Sequence, residues 1–341
     1  MRRSFLLSLA FVLAPVCAAT TASAALVQPV PSTPADTAPA QSVPTRPASS
    51  APPASSSTVV VTARRLPPAK MVEHLTHAVT QSADASEALA RFPDMVCPSS
   101  EGMPLDYDAR IVARIRADAA AAAIGVDKPG CHPNVIVMVV PNGQAVVRAL
   151  RRTQSYIFGD MEPHQIAEMA ADAGPVHAWT VTRRRSRDAD TERVGTMMQD
   201  VPEIQVRDAS IILAATRLDM TASVLLIDVD AVIGKTVNQI ADYAAMRTLA
   251  PTRPAGTGHH SANPDDTILG LFAPGDPAGR PRGLTGFDAG YLKALYHGPA
   301  TERGMAKMGQ MVRSIAAASP PSGAAPSAAT GSMPSSAVPA R

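Results

Sequence analysis

Two stretches that cannot build a core confine the fold of this chain to its middle. Residues 25–57 and 316–341 are dominated by Pro, Ala, Ser, Thr and Val. They hold too few bulky apolar side chains to offset the entropy lost on ordering, so both are expected to be disordered, proline-rich tails. Nearly all charges, aromatics and periodic patterns fall in residues 58–315. A span of that size suits one globular domain. No internal repeat divides it.

Residues 1–24 carry a different signal. Arg2 and Arg3 precede an apolar run from Phe5 to Leu13, and Ala22-Ser23-Ala24 follows. That is the order of a secretory signal peptide. The run is about half of the roughly 20 residues that cross a bilayer, so no transmembrane helix is expected once the leader is removed after Ala24. A lipoprotein signal ending at Cys17 is the lesser alternative, because Ala14-Pro15-Val16 lacks the usual residues before such a cysteine. The expectation is export to the periplasm or beyond.

Cleavage would also change the charge. Losing two arginines from 31 basic residues leaves 29, equal to the 29 acids. A neutral domain has no general electrostatic hold on nucleic acid, so no nucleic-acid partner is expected. The one dense basic cluster, Arg183-Arg184-Arg185 with Arg187, is followed at once by Asp188, Asp190 and Glu192 and reads as a self-neutralising solvated loop. Only Cys97 and Cys131 remain after cleavage. In an oxidising compartment they are expected to form a disulfide, closing a loop of about 34 residues.

Periodicity supplies the elements. Met71 to Thr80 and Tyr107 to Ala123 have helical spacing, Asn134 to Val140 is a buried strand, and Gln144 to about Arg152 is a helix. Val176 to Thr182 alternates as a strand around Trp179. Ala209 to Thr216 and Ser223 to Val229 read as two strands of a hairpin, turning at Arg217-Leu218-Asp219. A helix from about Lys235 to Leu249 is stopped by Pro251 and Pro254, and a last helix starts near Asp288. Interleaved strands and helices predict an α/β or α+β fold, a single domain whose mixed sheet is flanked by helices.

Two late segments carry a resemblance. Gln239-Ile240-Ala241-Asp242-Tyr243-Ala244-Ala245-Met246-Arg247 follows a strand and a Gly234 turn; Thr267 to Phe272 comes next, then Leu284-Thr285-Gly286-Phe287-Asp288 with Tyr291, Leu292, Leu295 and Tyr296. This order resembles the catalytic half of zincin metalloproteases of the metzincin type, and most of all exported bacterial zincin-like domains with degraded motifs. The likeness spans about 70 residues. It implies a zincin-like scaffold. It does not carry over the chemistry, because Ala241 and Ala245 stand where the two zinc histidines belong and Asp242 where the glutamate base belongs. Methyl groups bind no metal. The third-ligand region falls at Pro251, and the methionine of the Met-turn is missing from Thr267 to Phe272. No metal or other cofactor is therefore expected.

The remaining candidates are thin. His74 and His77 lie three apart beside Glu73, and His259-His260 lie near Asp265 and Asp266; each pair lacks further ligands. His177, on the strand with Trp179, is the histidine placed to face a groove, and with Asp242 and Arg247 it makes a set of candidate binding residues. Thr58-Val59-Val60-Val61-Thr62-Ala63-Arg64-Arg65 resembles the segment near the start of mature TonB-dependent outer-membrane receptors, which implies contact with a protein or envelope partner by strand addition. No nucleophile elbow, phosphate loop or complete dinucleotide fingerprint is present. The expected function is an exported, non-enzymatic binding or cell-envelope protein. The alternative is a periplasmic hydrolase whose site is assembled only by the fold.

Overall fold

A computed structural model describes residues 69–81, 86–187, 210, 213–256 and 262–318. The expected leader, the first tail and Thr58 to Arg65 lie outside these residues. The second tail also lies outside them, except at its first few positions.

Four strands form one mixed sheet in the order β1-β2-β4-β3. β1 (Pro98–Glu101), β2 (Val135–Val140) and β4 (Thr216–Asp228) run parallel, and β3 (Val176–Ser186) runs antiparallel to β4 at the edge. Among the described residues seven helices surround it: α1 (Ala69–Val79), α2 (Leu105–Ala121), α3 (Gly143–Thr153), α4 (Pro163–Ala171), α5 (Val237–Leu249), α6 (Gly286–Tyr296) and α7 (Gly304–Ala317), besides a single turn at Val229–Val232.

The middle strands explain the layering. All six residues of β2 are buried, as a strand covered on both faces requires, and they divide by parity. Val135, Val137 and Val139 join Leu225 and Ile227 of β4 in a core shared with α1, α2, α5, α6 and α7. Ile136, Met138 and Val140 join Val224 and Leu226 in a smaller core under α3, α4 and the Ser155–Phe158 turn. The sheet is thus sandwiched between two helical layers.

Local signals start the helices. Asn142 breaks the chain after β2, and its side chain accepts the Ala145 N–H at 2.7 Å to cap α3, while Arg151 and Arg152 sit where the helix dipole favours cations. Thr236 and Gln239 form a capping box on α5; Thr285 and Asp288 form another on α6. α5 departs from the amphipathic helix expected. Ten of its 13 residues are buried, which makes it a central helix rather than a surface one. The expected crosslink is present: Cys97, just before β1, is bonded to Cys131, before β2, with their Cα atoms 6.0 Å apart.

Two expectations are corrected. There is no hairpin turn at Arg217-Leu218-Asp219, since these residues lie inside β4, whose partners are β2 and β3. The polar triplet instead belongs to a cross-strand charge cluster. Asp219, 2% exposed, lies 3.1 Å from Arg217 Nε and 3.3 Å from Arg185 Nε of β3. For the same reason Arg183 to Arg185 are strand residues and not a loop, with Arg184 paired to Glu87. α4 and α7 were not foreseen. α7 runs to Ala317, two residues into the stretch expected to be tail.

Candidate functional site

β3 ends the sheet, and among the described residues no strand pairs with its outer side. Which of its amides face outwards follows from the ladder. Asp228 N–H donates to Pro175 O at 2.9 Å, flanking the Val176–Ile227 pair, so Val176–Ile227 is a pair without direct hydrogen bonds. Alternation then gives His177 and Trp179 their bonds to β4 and turns the N–H and C=O of Val176, Ala178 and Thr180 outwards.

A groove of about 780 Å³ runs along that edge. One wall is α4 with its flanks, including the exposed acids Asp160, Glu168 and Asp172. The other is the end of α5 and the Ala250 to Pro254 segment, held by the Thr80–Thr252 bridge. Trp179 lines the groove from the small core, its ring 5.0 Å from Phe158 and its Nε1 donating to Ile157 O at 3.1 Å.

Two of the three candidate binding residues, His177 and Arg247, line this groove, although 70 residues separate them in sequence. His177 is 2% exposed, and neither ring nitrogen has a hydrogen-bond partner. Burial lowers its pKa, against the opposing pull of Asp172 and Asp228, so the imidazole is neutral and offers one donor and one acceptor. Space beside it is tight: a Cβ on Gly143 would come 2.7 Å from its Cδ2. Among the described residues the groove's hydroxyls, Thr180, Thr182 and Thr252, make no hydrogen bond to His177, and no serine or cysteine lines it.

Asp242, the third candidate, lies elsewhere. Fully buried on α5, it accepts Arg114 Nε at 2.6 Å and the Leu284 N–H at 2.7 Å. The chain passes so close that a Cβ on Gly283 would come within 2.6 Å of Asp242 Oδ2. Asp118 on α2 completes this cluster, 3.4 Å from Arg114 Nε. Burial first, then the neighbouring Asp242 charge and a hydrogen bond between the two acids, push its pKa up to about 7. Asp118 Oδ2 is buried without a hydrogen-bond partner among the described residues, which adds to the cost of its charged form.

The other sequence candidates resolve simply. Ala241 and Ala245 are fully buried within the large core. Asp288 is a structural clasp: it accepts Thr267 Oγ1, the Ile268 N–H, and both the N–H and Oγ1 of Thr285, tying the Thr267 turn to the start of α6. His74 and His77 are on exposed positions of α1, and Asp265 pairs with Arg280 at 2.6 Å. His259, His260 and the Thr58 to Arg65 segment lie outside the described residues. Among the described residues no three His, Cys, Asp or Glu are grouped to hold a metal ion, and no helix is long and apolar enough to cross a membrane.

Sequence reasoning did not find the groove's second wall. Pro251 and Pro254 read only as a helix stop, and Asp160, Glu168 and Asp172 drew no expectation; only folding brings both walls alongside β3. Comparison of the chain with known protein families, curated proteins and solved structures found no match.

Proposed function

We propose that this chain is an exported, non-enzymatic binding protein of the cell envelope that takes up an extended peptide along β3. The observation that carries this reading is the row of outward amides at Val176, Ala178 and Thr180, unpaired among the described residues and facing a groove. A free strand edge is a template for a further strand, and main-chain hydrogen bonds supply affinity for it. The Cys97–Cys131 crosslink suits an oxidising compartment. The strand-to-α5 order and the Asp288 clasp between the two late segments support a zincin-like scaffold, with Ala241 and Ala245 in place of ligands. The Thr58 to Arg65 segment would provide a second contact with the partner, on its own sheet edge.

Retention of a randomised heptapeptide pool on the full chain, followed by titration of the retained peptides, tests the groove. Trp179 is the only tryptophan and lines it, so its fluorescence reports binding. Ala178→Pro removes an outward N–H that β4 does not use, a change edge strands tolerate. Affinity is expected to fall at least tenfold with the fold intact. Equal binding by folded Ala178→Pro, or no retained peptide at all, would refute the reading.

A further inference from the structure

We infer that the peptide taken into this groove is residues 58–62 of a second copy of this chain, added as a strand along β3. Its premise is the peptide-groove reading above, whose two contacts, β3 and the Thr58 to Arg65 segment, become the two halves of one interface.

The walls set what an occupant must be. Pairing with the outward amides of Val176, Ala178 and Thr180 takes five residues of strand without proline, which has no N–H to give. Both faces of that strand would meet apolar surface, Met161 and Met169 on the α4 side and Ala250, Pro251 and Pro254 on the other. A strand covered on both faces is an unbroken apolar run, whereas one with a face in water alternates. Charge adds a third condition. Asp160, Glu168 and Asp172 are exposed along the flank of β3, none has an ion-pair partner among the described residues, and residues 153–182 contain no lysine or arginine. Arg247 and Arg253 on the other wall are half-buried and donate to the carbonyls of Thr252 and Thr80. The occupant should therefore carry positive charge next to its apolar run.

Residues 58–62 meet all three conditions. Between Ala25 and Ala69 no stretch between prolines exceeds four residues, except 54–66. Within it Thr58-Val59-Val60-Val61-Thr62 is β-branched throughout and puts valine on both faces of a strand. Arg64 and Arg65 follow, and no acid lies between Ala54 and Ala69.

Reach assigns the strand to another copy. Ala69 starts α1, which is about 16 Å long, and the groove residue Gln81 lies past its far end. Arg65, four residues before Ala69, can be at most about 14 Å from it. In its own chain Arg65 thus stays beside α1, short of that edge and of the acids on the far wall; from a second copy the segment enters without that limit. The giving and receiving surfaces differ, so the contact is head-to-tail.

Sedimentation velocity of the chain from Ala25 onward tests this. The parent should form species larger than a monomer that dissociate on dilution. Val59→Pro with Val60→Pro removes adjacent N–H groups, one of which faces β3 in either register, and alters no residue of the sheet or its helices. Ala178→Pro closes the receiving edge. Each variant alone is expected to lose assembly and run as a monomer, while an equimolar mixture gives a dimer that does not grow, because one donor strand and one open edge remain. A parent that stays monomeric, assembly that survives either variant, or a mixture without dimer overturns the inference. A monomeric parent whose heptapeptide binding tightens in the double variant puts the segment in its own groove and likewise overturns the second copy. Retention of heptapeptides by the double variant leaves the groove reading standing in each of these cases; loss of that retention overturns both.

Discussion

Replacing Asp118 by asparagine should make the protein more stable at neutral pH, and the size of the gain follows from the acid pair. In the folded state Asp118 holds its proton up to about pH 7, compared with an ordinary value of 3.8. An acid whose folded pKa is raised binds its proton more tightly when folded. Its contribution is therefore fully present below about pH 4 and is lost as pH rises through 7. Three pH units at about 1.4 kcal/mol each set a ceiling of roughly 4 kcal/mol. The Asp118 side chain is 7% exposed and Asp242 fully buried, but Arg114, the cation between them, is 41% exposed and partly hydrated. Solvent around that arginine brings the expectation down to about 2 kcal/mol. In Asp118→Asn the new side-chain amide would present a permanent donor to Asp242 without a proton to lose. Urea unfolding followed by Trp179 fluorescence should give equal stabilities near pH 4 and a gap opening to about 2 kcal/mol in favour of the variant by pH 8. Parallel stability curves from pH 4 to 8, or a variant that is less stable than the parent at pH 8, would refute the raised Asp118 pKa.

Reducing the Cys97–Cys131 bond frees a loop of 34 residues and should cost about 4 kcal/mol on the chain-entropy relation, measurable as a lower urea midpoint with and without reductant. Asp288→Ala leaves the Thr267 and Thr285 hydroxyls and the Ile268 and Thr285 amides without their common acceptor, at a cost of about 3 kcal/mol in thermal unfolding.

Much of the chain's local structure is legible before folding is considered. The runs that became β2, α2, α3 and α5 start within two or three residues of the expected places, because capping residues, breakers and β-branched runs act over a few positions. α4 escaped because its buried stripe is only Ile166 and Ala170. The hairpin expectation failed because Arg217-Leu218-Asp219 looks like a turn to any short-range reading; a distant Arg185 makes the same residues tolerable inside a strand.

Read alone, the sequence points to the position of most elements and to a bond between Cys97 and Cys131. Each depends on residue type or on neighbours a few positions away. Only the tertiary structure decides that β3 is the edge, that Asp242 turns to Arg114 while Arg247 faces the opposite side of α5, and that Arg247 shares a groove with His177. Those outcomes depend on charge and burial acting through space between segments far apart in the chain, and no local pattern encodes such distances.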